Sequence, residues 1–332
     1  FEKKYDVTLI TINGKLSIHD HLNNNIDVIN LEEMSSIFIL KILKFRKILN
    51  NFRKNYNNIF CVSYCLSADI LNSFSTNNVI KISSMRARIF QNYFFSFGLF
   101  GYFLAYFHFL FLRRFHTIIA MNKSMAKEIS KYYNGKIVII NNFIDEKFLK
   151  KYKKKKLLVN KNKSYKKIIY VGSLTRRKNP ILLVETIQGL IKKNYKIKLS
   201  ILGNGPLYQV LHDFIKNKNL CSSVKMYGFI KNPYRLMSQH DILILPSYSE
   251  GFSRSVLEGL FFGLVCFFRN SEDYKKILKK NKNCYIYDND THLSDLLESY
   301  LQNKHKYQNK NNMLPNDFKQ DACVNKHLVL LN

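Results

Sequence analysis

The sequence predicts an α/β protein made of two parallel-sheet halves, each with helices on its faces. Three observations carry this. Short apolar runs alternate with amphipathic stretches, the alternation stops at a lysine-rich segment and restarts beyond it, and the length suits two domains better than one. With 332 residues, 46% of them hydrophobic, the chain has the material for a sizeable core, which excludes a disordered chain.

In the first half, residues 6–11 (DVTLIT) read as a strand and 37–56 (IFILKILKFRKILNNFRKNY) as a helix with apolar residues at helical spacing. Residues 59–66 (IFCVSYCL), 79–84 (VIKISS), 117–122 (TIIAMN) and 136–142 (KIVIINN) then read as buried strands separated by helices. The segment 147–167 is rich in lysine and poor in periodicity, which places a linker over 151–167. Beyond it come strands at 167–173 (KIIYVGS), 197–203 (IKLSILG), 224–229 (VKMYGF), 241–246 (DILILP) and 264–268 (LVCFF). Helices at 179–193, 206–220, 234–240 and 253–262 separate them. The expected domains are 1–150, 168–320 and a C-terminal helix over 321–332. Two such halves place a ligand cleft between the carboxyl ends of their sheets.

The chain carries 53 Lys and Arg against 23 Asp and Glu, a formal charge of +30. Such a field suits nucleic acid, an anionic membrane surface or a phosphorylated substrate, and its sign does not choose among them. Drift in an AT-rich genome yields the same Lys, Asn, Ile, Phe and Tyr enrichment. No nucleic-acid motif is present. The six cysteines form no C-x-x-C pair and sit in apolar surroundings, as expected of free thiols in a reducing cytoplasm. Structural zinc is not expected. The opening FEKKYDVTLIT has no signal-peptide pattern and no initiator Met.

Residues 94–112 (FFSFGLFGYFLAYFHFLFL) carry no formal charge and are followed by Arg113 and Arg114. A membrane-spanning helix of about 20 residues would set strands of one sheet on opposite sides of a bilayer, so spanning is not the expectation. Two readings stay open: a buried helix pair broken near Gly98 and Gly101, or a helix in the membrane interface anchored by Tyr102, Tyr106 and the two arginines.

The segment 246–259 (PSYSEGFSRSVLEG) sets Glu250 on a strand-to-helix loop and Glu258 about a turn and a half into the helix, with Ser253 as N-cap. Backbone N–H groups of Ser253, Arg254 and Ser255 then favour an anion at the helix mouth. A carboxylate on either side suits the hydroxyls of a sugar nucleotide. A solvated loop glutamate beside a helix glutamate paired with a lysine is the alternative. The segment 170–180 (YVGSLTRRKNP) repeats the strand-loop-helix logic. Gly172 permits close backbone approach, Arg176, Arg177 and Lys178 offer cations, Asn179 is the expected N-cap and Pro180 sits at N1. The glycines of LGNGPL (202–207) either approach a ligand or close a tight connection. The D-N-D of 288–290 reads as a helix-entry loop with Asp290 or Thr291 near the cap.

In this order, YVGSLTRRKNPILLVE, ILGNGPL, VKMYGFIKNP and DILILPSYSEGFSRSVLEG resemble the donor-nucleotide domain of the retaining glycosyltransferases of family 4 (glycosyl transferases group 1), which have the GT-B two-Rossmann fold. The first half is similar more loosely, through FCVSYCLSADIL, IKISSMR, IIAMNKSMAKEI and KIVIINNFID. The resemblance implies that Glu250 contacts the donor sugar near the reaction centre, Glu258 holds the ribose hydroxyls and Lys178 clamps the leaving diphosphate. It puts Phe229 and Ile230 where backbone reads the base, and makes Gly172, Ser173, Arg177, Gly251, Phe252, Ser253, Arg254 and Ser255 the rest of the nucleotide-sugar site.

It further implies retention at the anomeric carbon, no required metal or other cofactor, and a donor that is a UDP-sugar. The implied acceptor is a glycan, lipid-linked on a polyprenyl diphosphate, at the inner face of the cytoplasmic membrane. Nucleic acid is not an expected partner. Ser173 stands where the family has a second diphosphate-binding arginine, a role open to Arg176 or Arg177. YDVTLIT resembles the second strand of the acceptor domain, so the first, central strand is expected to be missing. A non-catalytic homologue that binds nucleotide or a partner remains the alternative.

Overall fold

The computed structural model describes residues 5–12, 26–76, 78–153, 165–270, 274, 278, 281–303 and 312–331. They divide into two compact units, Phe1–Ile140 with Val324–Asn332, and Asn141–Cys323. The division precedes the expected boundary at 150, so the lysine-rich stretch belongs to the second unit; its residues 154–164 lie outside the described residues.

The first unit runs β1 (Thr8–Thr11), β2 (Asp27–Asn30), α1 (Leu31–Met34), α2 (Phe38–Asn55), β3 (Ile59–Ser63), α3 (Leu66–Ser73), β4 (Val79–Ser84), α4 (Ile89–Phe97), α5 (Phe100–Leu112), β5 (Thr117–Ala120), α6 (Lys123–Ile129) and β6 (Lys136–Ile139). Among the described residues all pairings are parallel, in two separate sheets, β1-β2 and β3-β4-β5-β6. Both rest on apolar helix faces. Ile10 of β1 and Ile59 of β3 pack on one cluster with Phe45, Leu49 and Leu71, while Ile118, Phe109, Leu112 and Met125 centre a second. Strand β3 stops at Ser63, short of the expected Leu66, because Cys65 turns the chain at φ +80 and Leu66 opens α3.

The aromatic stretch forms the hairpin α4–α5, broken near Gly98 as expected. Gly101 serves packing instead of the break: a Cβ there would stand 2.3 Å from the carbonyl oxygen of Tyr93. One side of α5 is core, with Ala105, Phe109 and Leu112 buried. His108 joins them through a buried hydrogen bond, its Nε2 2.8 Å from Asp69 Oδ2, while Ser63 Oγ donates to Asp69 Oδ1 at 2.5 Å. The other side is exposed. Among the described residues no helix is long and apolar enough to cross a membrane.

The second unit runs α7 (Glu146–Leu149), β7 (Lys166–Val171), α8 (Pro180–Lys192), β8 (Ile197–Leu202), α9 (Tyr208–Asn217), β9 (Val224–Gly228), α10 (Tyr234–Met237), β10 (Ile242–Leu245), α11 (Arg254–Phe261), β11 (Val265–Arg269), β12 (Cys284–Tyr287) and α12 (Asp290–Gln302). Helix α13 (Gln320–Leu331) starts within it, and its residues from Val324 on group with the first unit. Its sheet is one parallel array ordered β12-β11-β10-β7-β8-β9. The central strands are near-continuous apolar runs because both faces are covered, and Ile242–Leu245 is wholly buried. Strand order reverses between β7 and β10, which places the switch point where the loops after those strands emerge. No disulfide joins the six cysteines. The D-N-D stretch enters α12 as expected, with Asn289 as the cap: its side chain accepts from His292 N at 2.9 Å.

Candidate active site

The loops after β7 and β10 meet at the switch point and are laced together. Tyr248 N donates to Arg177 O at 2.9 Å, and Arg177 Nη1 donates to Ser249 O at 2.6 Å. The same guanidinium lies 3.4 Å from Glu250 Oε1, and Lys178 Nζ forms a short ion pair with that oxygen. All three side chains are largely shielded from solvent. Two cations and one carboxylate therefore form one cluster at the carboxyl ends of a parallel sheet. Burial pushes the Lys178 ammonium below its ordinary value, and Glu250 works against that shift.

Behind them the loops after β7, β8 and β9 stack by backbone hydrogen bonds. Gly172 N donates to Leu202 O at 3.0 Å, Leu174 N to Asn204 O at 2.9 Å, and Gly203 N to Gly228 O at 2.8 Å. Gly203 is at φ +148, and a Cβ there would lie 1.8 Å from Gly172 O, so no other residue fits. LGNGPL closes a tight connection between the loops after β7 and β8.

Helix α11 begins at Ser253, as expected, without a side-chain cap: Ser253 Oγ pairs with Ser255 Oγ at 2.9 Å. The Ser253 amide is not available to an anion, because it donates to Tyr274 Oη at 2.8 Å. The first helical bond runs from Leu257 N to Ser253 O, which leaves the amides of Arg254, Ser255 and Val256 ahead of the ladder. One turn on, Glu258 is buried, its Oε1 3.3 Å from Arg254 Nη2. Burial pushes its carboxyl up to about 7, against the pull of Arg254.

The family profile described as glycosyl transferases group 1 matches residues 150–315, half of the chain. The chain belongs to this family. Among curated relatives, the O-antigen biosynthesis glycosyltransferase WclY of Escherichia coli is 32% identical over 154 residues, 42% of this chain and 40% of that protein. A Campylobacter jejuni N-acetylgalactosamine-N,N'-diacetylbacillosaminyl-diphospho-undecaprenol 4-alpha-N-acetylgalactosaminyltransferase is 38% identical over 93 residues, 28% of this chain and 25% of that protein. The chain thus matches well under half the length of these relatives. Anabaena HepE, solved with UDP and glucose, superposes at a TM-score of 0.70 over 98% of both chains at 13% identity, a likeness of GT-B fold.

Within this group 1 fold, the structure brings Lys178, Arg177 and Glu250 together, while Glu258 stands one helical turn beyond Arg254. Arg176 and Ser173 are exposed, and Ser173 O accepts from Tyr170 Oη at 2.9 Å. Asn179 occupies the position before α8 in a left-handed conformation, φ +47, without capping through its side chain. Phe252 differs from its expected place in the site. Its side chain is core, packed on Tyr274 and Phe318, and its carbonyl accepts from Asn142 Nδ2 at 3.0 Å. Gly251 is buried beside it. Phe229 is 76% exposed and follows the Gly228 turn, with Ile230 half-buried against the core. Sequence reasoning missed Tyr274, which fixes the start of α11 from 21 residues away, and Tyr248, over which Arg269 stacks at 4.8 Å. Neither lies in a motif with the residue it orients.

Proposed function

We propose that the chain moves a sugar from a nucleotide-sugar donor, a UDP-sugar, to a lipid-linked glycan acceptor in bacterial surface polysaccharide synthesis, with retention and without a metal. The reading places the protein at the inner face of the cytoplasmic membrane. The observation that carries it is the Lys178–Arg177–Glu250 cluster at the switch point of the second unit's sheet.

On this reading the two cations exchange partners. The donor diphosphate takes over Lys178 and Arg177, and Glu250, released from both, accepts hydrogen bonds from the sugar. Arg177 thereby supplies the second cation that Ser173 does not. The α11 amides face the same anion, and Glu258 accepts from the ribose. As the bond from C1 to the phosphate oxygen breaks, the acceptor oxygen bonds C1 on the same face and passes its proton to the departing phosphate. Retention follows, and Lys178 stabilises the charge that develops. The relatives that act on O-antigen and on undecaprenol-linked sugars support the acceptor class.

The test offers a panel of nucleotide sugars to the protein and measures nucleotide diphosphate release, with Glu250→Ala alongside. Release from one donor, lost in the variant, is the expected result. Binding of nucleotide with no release from any donor would favour a homologue that binds without turnover, a reading that exposed Ser173 motivates.

A further inference from the structure

The first unit carries an apolar surface and a basic pocket that the donor site does not use. On the hairpin α4–α5, Phe94, Phe97, Leu99, Phe100, Tyr102 and Phe103 are all exposed, Leu99 by 81% and Phe103 by 63%. Farther along α5, Tyr106, Phe107 and Leu110 continue the surface. From Ile89 to Leu112 the chain has no Asp, Glu, Lys or Arg, and arginines stand at both bases: Arg86 and Arg88 before, Arg113 and Arg114 after.

The stripe leads to a pocket. Phe100, Phe103, Phe107, Phe111 and Arg114 recur at three- and four-residue spacing on one face of α5. Phe100 stacks on Phe103, Phe107 meets Phe111, Phe111 meets Phe74, and Arg114 lies 5.1 Å over the Phe74 ring. There an open pocket of about 520 Å³ is lined by Phe74, Arg46, Lys81, Arg114 and His116. Among the described residues no carboxylate pairs with Arg46, Lys81 or Arg114. Lys81 is buried, its Nζ donating to the carbonyls of Ser73 and Ser75 at 3.3 and 3.2 Å. Burial and the neighbouring Arg114 push its ammonium down, as expected where positive charges gather without a counter-ion.

We infer that the hairpin and this pocket together form a docking surface for a bilayer containing anionic phospholipid. The exposed aromatic stripe enters the acyl boundary, and Arg46, Lys81 and Arg114 hold a lipid phosphate at its base. Chemistry selects this occupant over a protein. Three uncompensated cations beside an uncharged aromatic hairpin match a headgroup above acyl chains, in a chain of charge +30. The thirteen residues of α5 extend about 20 Å, short of the roughly 30 Å hydrocarbon core, so the hairpin does not span the bilayer. The inference deepens the membrane-face part of the proposed function and rests on that reading for its biological sense; its test has no catalytic readout, so its failure leaves the transfer reading standing.

The full-length chain is floated with vesicles of phosphatidylcholine alone or with about 30% phosphatidylglycerol, at low salt. Three proteins are compared: the native one, Arg46→Ala with Arg114→Ala, and Leu99→Ser with Phe100→Ser and Phe103→Ser. All five substituted side chains are exposed, so the fold is retained. The native protein is expected on the anionic vesicles. The paired arginine variant is expected to lose about 25-fold in affinity, at about fivefold per charge, and with it the preference for anionic lipid. The tip variant is expected to leave both vesicle types. Equal retention on both by the native protein, or retention unchanged by the tip substitutions, would overturn the inference. So would inorganic phosphate binding without vesicle binding, or tip-dependent self-association in place of it.

Discussion

The two units solve the same folding problem differently. In the second, one six-stranded sheet gathers a single apolar cluster that reaches from Ile144 to Phe318. In the first, the strands form two sheets over two smaller clusters, and a hairpin keeps one face of Phe, Tyr and Leu outside. A continuous core can hold charged loops rigidly at its switch point, as Lys178, Arg177 and Glu250 are held. A divided core that leaves apolar surface uncovered is suited to meeting a partner. On the proposed reading, unit two is organised around a small anionic ligand and unit one around a surface.

The largest expected effect breaks the core of the second unit. Phe267→Ala removes a fully buried ring on β11 that stacks on Tyr285 at 4.8 Å, and should cost about 3–5 kcal/mol in denaturant unfolding. Next, Lys178→Ala should lower nucleotide diphosphate release about 10²–10³-fold while the denaturation midpoint stays nearly unchanged. A fall in both together would make the cluster structural.

The pH dependence sharpens the contrast within the site. Glu258 holds its proton up to about pH 7 in the folded protein, against an ordinary 4.5. Its contribution to stability is therefore full below about pH 4.5 and is lost as pH rises through 7. Donor binding should run the other way, because the ionised carboxylate is the better acceptor for ribose hydroxyls. Affinity for UDP should rise about tenfold between pH 6 and 8, and Glu258→Gln should flatten that part of the profile. The smallest effect is expected on the hairpin, where Leu99→Ser should shift unfolding by no more than about 0.5 kcal/mol, since the side chain touches mainly solvent.

What was legible in the sequence follows the same division. The second unit's strands are unbroken apolar runs with glycine-bearing loops at their carboxyl ends, so Glu250, Lys178 and Arg177 were readable from local pattern. Tyr274 was not, because its hydroxyl meets Ser253 N only after the chain has returned across the sheet. The core position of Phe252 was hidden likewise: a loop aromatic beside a motif glutamate looks like a ligand contact until Phe318 arrives from far along the chain. In the first unit β2 was missed, since Asp27–Asn30 is a four-residue strand with little apolar signal. The hairpin's two readings could not be separated because α5 is apolar on every side, and burial of one face while the other stays exposed is a property of packing.

On the proposed reading, Lys178 and Arg177 give up Glu250 for a diphosphate. Affinities for uridine, UMP and UDP, measured by calorimetry on the native protein and on Lys178→Ala, test it most directly. UDP is expected to bind the native protein far more tightly than uridine does, and most of this gap is expected to disappear in the variant. The same gap in both proteins would mean that the phosphates are held elsewhere and that the ion pair is only part of the fold.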